Sequence, residues 1–260
     1  MLNKIQISFA INILIIIFGF TALVPEIVTA SSKNKSKTDL EFYKTVYDFF
    51  RFFTNDGNVY STIISCIIIS YQISILFFGL NPNILNNNYL YLLALGSAVS
   101  EIIILLVVFI LLLPYFGLWV IFANYAMFVL HVLIPIIVTF RFIFFDKKES
   151  KISNKQTLFG SAPVLTYGII ILILVLSGVF NKENNRIPYP FFNFDSESWL
   201  FSTFSVIGII AVTFGLCILF NYLNEKYGEV LFEEKEDNTD LNSHDNNPLK
   251  TQSDNHSLEL

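Results

Sequence analysis

The stretch YLYLLALGSAVSEIIILLVVFILLL, Tyr89–Leu113, decides the fold. It holds one charged residue, Glu101, in an otherwise apolar or weakly polar run. As a helix it rises ~1.5 Å per residue, and a ~30 Å hydrocarbon core takes about 20 such residues. A membrane barrel would instead show short alternating segments. A continuous run satisfies its backbone in lipid only as a helix. Outward from it lie further long runs at Ile5–Val24, Val59–Leu80, Leu118–Phe140, Ala162–Phe180 and Trp199–Phe220. These predict an all-α, polytopic membrane protein, a bundle of six transmembrane helices over residues 1–220.

Composition agrees. The chain of 260 residues is 54% hydrophobic and 14% charged, where a soluble domain carries about a quarter charged residues. No basic stripe interleaved with aromatics is present, so nucleic acid is set aside as a partner. Cys66 and Cys217 fall inside apolar runs with no disulfide or metal-ligand spacing. Residues 221–260 are polar and acidic without apolar periodicity, which predicts a disordered tail. His244 and His256 stand there as isolated solvated residues. The first run follows Lys4 and is longer than a signal-peptide core of ~7–15 residues, so it is expected to be retained as a helix. Lys and Arg counts lean toward cytoplasmic N- and C-termini, and heavy use of Ile, Phe, Asn and Lys suggests a bacterial cell membrane. "PYFG", Pro114–Gly117, is expected to connect the third and fourth helices tightly. Ala211 and Gly215 have the small-xxx-small spacing of a close helix contact.

Polar residues inside the runs carry what chemistry there is. Thr54, Asn58, Ser61, Ser65 and Gln72 recur at helical spacing, so they share one stripe that faces protein rather than lipid. That stripe reads either as interhelical hydrogen bonding, worth ~0.6 kcal/mol per contact, or as part of a site. His131, with Asn124, Phe128 and Pro135 on its face, is an ionisable group at membrane depth. It reads equally as a proton acceptor or as a structural histidine bonded to a neighbouring helix. Glu101 is the one carboxylate well inside a run: protonated, partnered with His131, or lining a polar cavity together with Asn124. One acid and one histidine are too few for a pump. No phosphate loop, nucleophile elbow or zinc motif occurs, and no metal or cofactor is expected.

Four landmarks together resemble the prokaryotic Pr-six-Pr membrane protein family. "RFFTNDGN" resembles its F-T-x-x-S-N signature, with Gly57 in the serine position and Asn58 retained. "HVLIPII" resembles its H-x-x-x-P helix at His131 and Pro135. "APVLTY…SG" resembles its P-x-x-x-Y…G pattern at Pro163, Tyr167 and Gly178. "RIPYPFFNFD" resembles its Y-P-Y-P-F-x-D loop at Pro188, Tyr189, Pro190 and Phe191. Ile187 departs from the loop pattern, Asp195 is displaced, and the acid that often follows the histidine helix is missing. That family is similar to the eukaryotic androgen-induced gene family of intramembrane threonine hydrolases, which act on fatty-acid esters of hydroxy fatty acids. The resemblance implies Thr54 as nucleophile, His131 as base, and a membrane lipid or lipid ester as substrate.

The chemistry is coherent, because a threonine hydroxyl attacks only when a neighbouring base takes its proton. From its spacing, Asn58, one turn from Thr54, is expected to donate to the developing oxyanion. The competing expectations are a small transporter or lipid-binding membrane protein using Glu101 and His131, and a scaffold whose acidic tail binds partners. The hydrolase reading has a geometric demand. His131 falls about 13 residues into its run, ~20 Å from the helix start, whereas Thr54 precedes the apolar part of its own run.

Overall fold

The computed structural model describes residues 2–33, 49–180, 187–194 and 199–228, and these contain helices and no strands. The chain forms six helices long and apolar enough to cross a membrane. They are α1 (Lys4–Val28, within the longer helix Leu2–Lys33), α2 (Phe53–Phe78), α3 (Asn88–Leu112), α4 (Tyr125–Phe145), α5 (Asn154–Leu176) and α6 (Trp199–Gly228). It is a multi-pass membrane protein. Successive helices alternate in direction, so the starts of α2, α4 and α6 share one end of the bundle with the ends of α1, α3 and α5.

The run that decides the fold also sits at its centre. Residues Ala94 through Glu101 are buried without interruption, so over this stretch α3 touches protein all round. Small residues make that possible. A Cβ added to Gly96 would lie 3.3 Å from the Gly160 carbonyl oxygen, so α3 and the start of α5 meet backbone to backbone. Around α3 pack α2, α4 and α6, while α1 lies against α2 and α4.

Three features differ from expectation. The third and fourth helices are not joined at a tight PYFG turn: helix continues through Leu113–Phe116, Gly117 takes φ +65°, and a short helix Trp119–Phe122 intervenes. Asn124 then caps a fresh start at Tyr125. Residues Leu118 to Ala123 are as apolar as the helices on either side, so hydropathy merges them with α4. At the other end α6 runs on to Gly228, past the expected boundary at Phe220. Asn221 and Asn224 are buried there rather than solvated. The Asn224 amide donates to the carbonyls of Phe142 (2.8 Å) and Asp146 (2.7 Å), which the end of α4 leaves open. Residues 229–260, with the rest of the expected tail and both of its histidines, lie outside the described residues, as does Asp195. Finally, Ala211 and Gly215 do not form a close helix contact among the described residues. Both are exposed, and nothing lies within 4 Å of a Cβ built on Gly215.

Two π-helical segments interrupt the spans, Val107–Leu112 in α3 and Val129–Leu133 in α4. Such insertions add a residue to one turn and concentrate at functional sites. Here both lie at the same end of the bundle, and the second contains His131.

Candidate functional site

The polar stripe of α2 is buried along its length: Thr54 is 8% exposed, and Asn58, Ser61, Ser65 and Gln72 are at 1% or less. It divides into an upper and a lower set of partners. Ser61 accepts a hydrogen bond from Ser97 of α3 at 2.8 Å. Ser65 and Asn12 accept from the fully buried Arg141 guanidinium at 2.9 and 3.0 Å, and Arg141 also pairs with Asp146 at 3.3 Å. Gln72 donates to Ser8 at 2.9 Å. At the opposite end of the stripe, Thr54 meets His131.

The Thr54 Oγ1 lies 3.3 Å from His131 Nε2. The other ring nitrogen, Nδ1, lies 2.8 Å from the Met127 carbonyl oxygen. A carbonyl can only accept, so Nδ1 carries the proton and Nε2 of the neutral ring is the acceptor. The Thr54 hydroxyl therefore donates to His131. The expected 20 Å separation is gone because α4 starts at Tyr125, which puts His131 six residues inside it, or ~9 Å. Thr54 is likewise inside α2, which begins at Phe53. The entering segment is fastened by Tyr167 of α5, whose hydroxyl donates to the Arg51 carbonyl at 2.6 Å, and by Asn55, which donates to the Phe49 carbonyl at 2.8 Å.

Three candidates from the sequence take other roles. Asn58 uses its amide group as a donor to the Thr54 carbonyl (2.7 Å) and the Leu130 carbonyl (3.1 Å). Its Oδ1, which has no partner among the described residues, can accept but not donate. Asn58 thus ties α2 to the histidine segment and is not an oxyanion donor. Asn124 is exposed and caps α4, its Oδ1 accepting from the Met127 N–H at 2.9 Å. Glu101 is completely buried in α3, with Ser61 of α2 as its polar neighbour. It does not reach His131.

Thr54 and His131 both line a cavity of about 490 Å³. Its wall includes Pro188, Tyr189 and Pro190 from the α5–α6 loop, Met127 and Leu130 from α4, and Glu26 from the end of α1. Phe191 stacks on Tyr189 at 5.1 Å with the rings nearly parallel, and Phe52 meets Tyr189 edge-on at 6.0 Å. The aromatic loop thus closes the cavity against α2. Glu26 and Tyr189 are functional candidates that spacing alone did not disclose. Glu26 is distant in sequence from both partners, and Tyr189 belonged to a loop motif without an assigned task.

Tyr189 is 7% exposed. Its hydroxyl lies against the Thr54 hydroxyl and the backbone N–H groups of Phe53 and Thr54. Those two amides belong to the first turn of α2, which has no side-chain cap. The next two amides, of Asn55 and Asp56, reach back to the Phe52 carbonyl at 3.0 and 3.4 Å. Burial pushes the phenol up to about 12 against the lowering pull of Thr54 and the amides, so it is neutral at ordinary pH. The site therefore offers a hydroxyl, a neutral base with its tautomer fixed, and donors at a helix start. Among the described residues no group of three His, Cys, Asp or Glu side chains could hold a metal ion. Compared with family models, curated proteins and solved structures, the chain finds no match in any of the three.

Proposed function

We propose that this membrane protein is an intramembrane hydrolase of lipid esters, with Thr54 as nucleophile and His131 as base. One observation carries the reading. A threonine hydroxyl donates to the free nitrogen of a neutral histidine, at 3.3 Å, inside a cavity large enough to admit a substrate. The resemblance of the Thr54 and His131 segments to the Pr-six-Pr family gives independent support.

In the proposed cycle, His131 Nε2 takes the Thr54 proton as Oγ1 attacks the ester carbonyl. The Met127 carbonyl holds Nδ1–H throughout, so the imidazolium keeps its orientation. The tetrahedral oxyanion is stabilised by the first-turn amides of Phe53 and Thr54, at the positive end of α2, together with the Tyr189 hydroxyl. Collapse breaks the ester C–O bond, and His131 returns the proton to the departing alkoxide. Water, deprotonated by the same nitrogen, then attacks the acyl-threonine; the acyl C–Oγ1 bond breaks, Nε2 returns the proton to Thr54 Oγ1, and the fatty acid is released.

The test is labelling by a lipophilic fluorophosphonate in membranes. Wild type and Thr54→Ser should label, and Thr54→Ala and His131→Ala should lose at least about 10²-fold in rate. Labelling that persists in both alanine variants would remove the reading.

A further inference from the structure

Thr54 borders a second cavity, and it differs in kind from the first. Thr54, Leu112 and Tyr189 line the 490 Å³ cavity and also a narrower one of about 50 Å³ on the other side of Thr54. The narrow cavity is walled by aliphatic and aromatic side chains such as Ile103, Val107 and Ile209. Those same three residues line a third space of about 200 Å³ between α3 and α6. This space runs out beside Ile110 and Val212, which are 62% and 44% exposed on the lipid-facing surface. Its floor on α6 is Gly208, where an added Cβ would meet nothing within 4 Å. The π-helical turn Val107–Leu112 lies along the whole path. Thr54 thus has on one side a cavity holding His131, Glu26 and Asn55, and on the other a small apolar cavity that shares Ile103, Val107 and Ile209 with the α3–α6 cleft.

We propose that the ester binds with its acyl chain in the α3–α6 cleft and its alcohol portion in the His131 cavity. The inference rests on the hydrolase reading and adds the direction of the substrate to it. Proton bookkeeping sets that direction. When the C–O bond breaks, the alkoxide takes its proton from the imidazolium, so the leaving oxygen must face Nε2. His131 lines only the larger cavity, which leaves the acyl carbon and its chain on the far side of Thr54. The reverse arrangement would release the alkoxide into an aliphatic cleft away from the imidazolium. The apolar cleft also matches an alkyl chain, which needs no hydrogen bonds, while Glu26 and Asn55 give the alcohol side polar contacts. A larger groove of about 1080 Å³, on the face of α2 carrying Asp56 and Gly57, does not include Thr54. An ester lying there would keep its carbonyl away from the nucleophile.

The test uses the full chain in lipid nanodiscs and two readouts. Hexadecanoic acid carrying a mid-chain diazirine is photolysed on the wild-type protein and on Gly208→Phe, and the adducts are mapped. Adducts on Ile103–Ile110 and Ser205–Val212 that Gly208→Phe removes support the inference. Adducts in the groove by Tyr60 and Ile170, or spread evenly over the lipid-facing surface, overturn it. Separately, esters with a fixed alcohol are compared from butanoyl to hexadecanoyl. Gly208→Phe should lower the hexadecanoyl-to-butanoyl ratio of kcat/KM by at least about tenfold, and lengthening the alcohol instead should leave the ratio between the two proteins unchanged. A ratio that shifts with alcohol length and not acyl length overturns the inference while hydrolysis stands. Adducts confined to the cleft in a protein that cleaves no ester support the acyl site and sink the hydrolase reading alone.

Discussion

A phenol kept from water beside a threonine hydroxyl is a proton donor over the whole physiological range, and Tyr189 is held in that position. Its test has two parts. Tyr189→Phe keeps the ring stack on Phe191 and removes one oxyanion donor, so kcat should fall by about 10²-fold with KM little changed. The pH behaviour follows from the shift. The phenol rises from 10.0 to about 12 on folding, so its contribution to stability is complete below pH 10 and lost as pH climbs through 12. Thermal unfolding in detergent should show an alkaline decline, of up to about 3 kcal/mol, that Tyr189→Phe flattens. An unchanged decline would mean that Tyr189 titrates as freely as an exposed phenol. The residue types at the site were legible in the sequence, because an isolated histidine and a polar stripe beginning at Thr54 stand out in apolar surroundings. Their hydrogen-bond partners were not. Spacing could place Asn58 near Thr54 but could not tell that its donors are taken by two carbonyls, and the Phe53 and Thr54 amides that meet Tyr189 carry no side-chain signal at all.

Helix contacts hold those atoms in place, and the closest of them joins α1 to α2. A Cβ on Gly19 would fall 2.3 Å from Thr62 Oγ1. Thr62 cannot turn away freely, since it donates to the Asn58 carbonyl at 2.7 Å. Gly19→Ala should therefore destabilise the bundle by about 1–3 kcal/mol, the cost of forcing extra volume into a packed interface. Thr62→Ala removes the clashing oxygen, so the double variant should recover most of the loss. A non-additive cycle in thermal unfolding is the expected result, and simple additivity would show that the helices separate instead of clashing. At this scale the sequence was an uneven guide. Six spans follow from length and hydropathy, because lipid demands continuous apolar helices. The break before α4 and the two π-helical turns do not follow, since each is a backbone event within residues that are apolar either way. That break is what brings His131 to the depth of Thr54.

Across the whole bundle the buried polar groups form two layers with different duties. Near the start of α2 and α4, Thr54, His131 and Tyr189 face a cavity. Near the opposite end, Arg141 is fully buried among Asn12, Ser65 and Asp146. Burial pushes the Asp146 carboxyl above the usual carboxylate range while the guanidinium pulls it back. This second layer links α1, α2 and α4, and beyond it Lys148 pairs with Glu225 of α6. The two layers should separate under mutation. Arg141→Ala leaves a buried carboxylate and two polar groups without their partner, which costs about 3–5 kcal/mol. It should lower the yield of folded protein and its Tm, with activity per folded molecule largely kept. His131→Ala should do the reverse, costing about 1–3 kcal/mol for its two lost neutral hydrogen bonds, less than Arg141→Ala, while removing probe labelling. Matched measurements of Tm and labelling on the two variants decide it. Were His131→Ala to unfold the bundle as severely as Arg141→Ala, both layers would be structural, and the contact between Thr54 and His131 would be helix packing without chemistry.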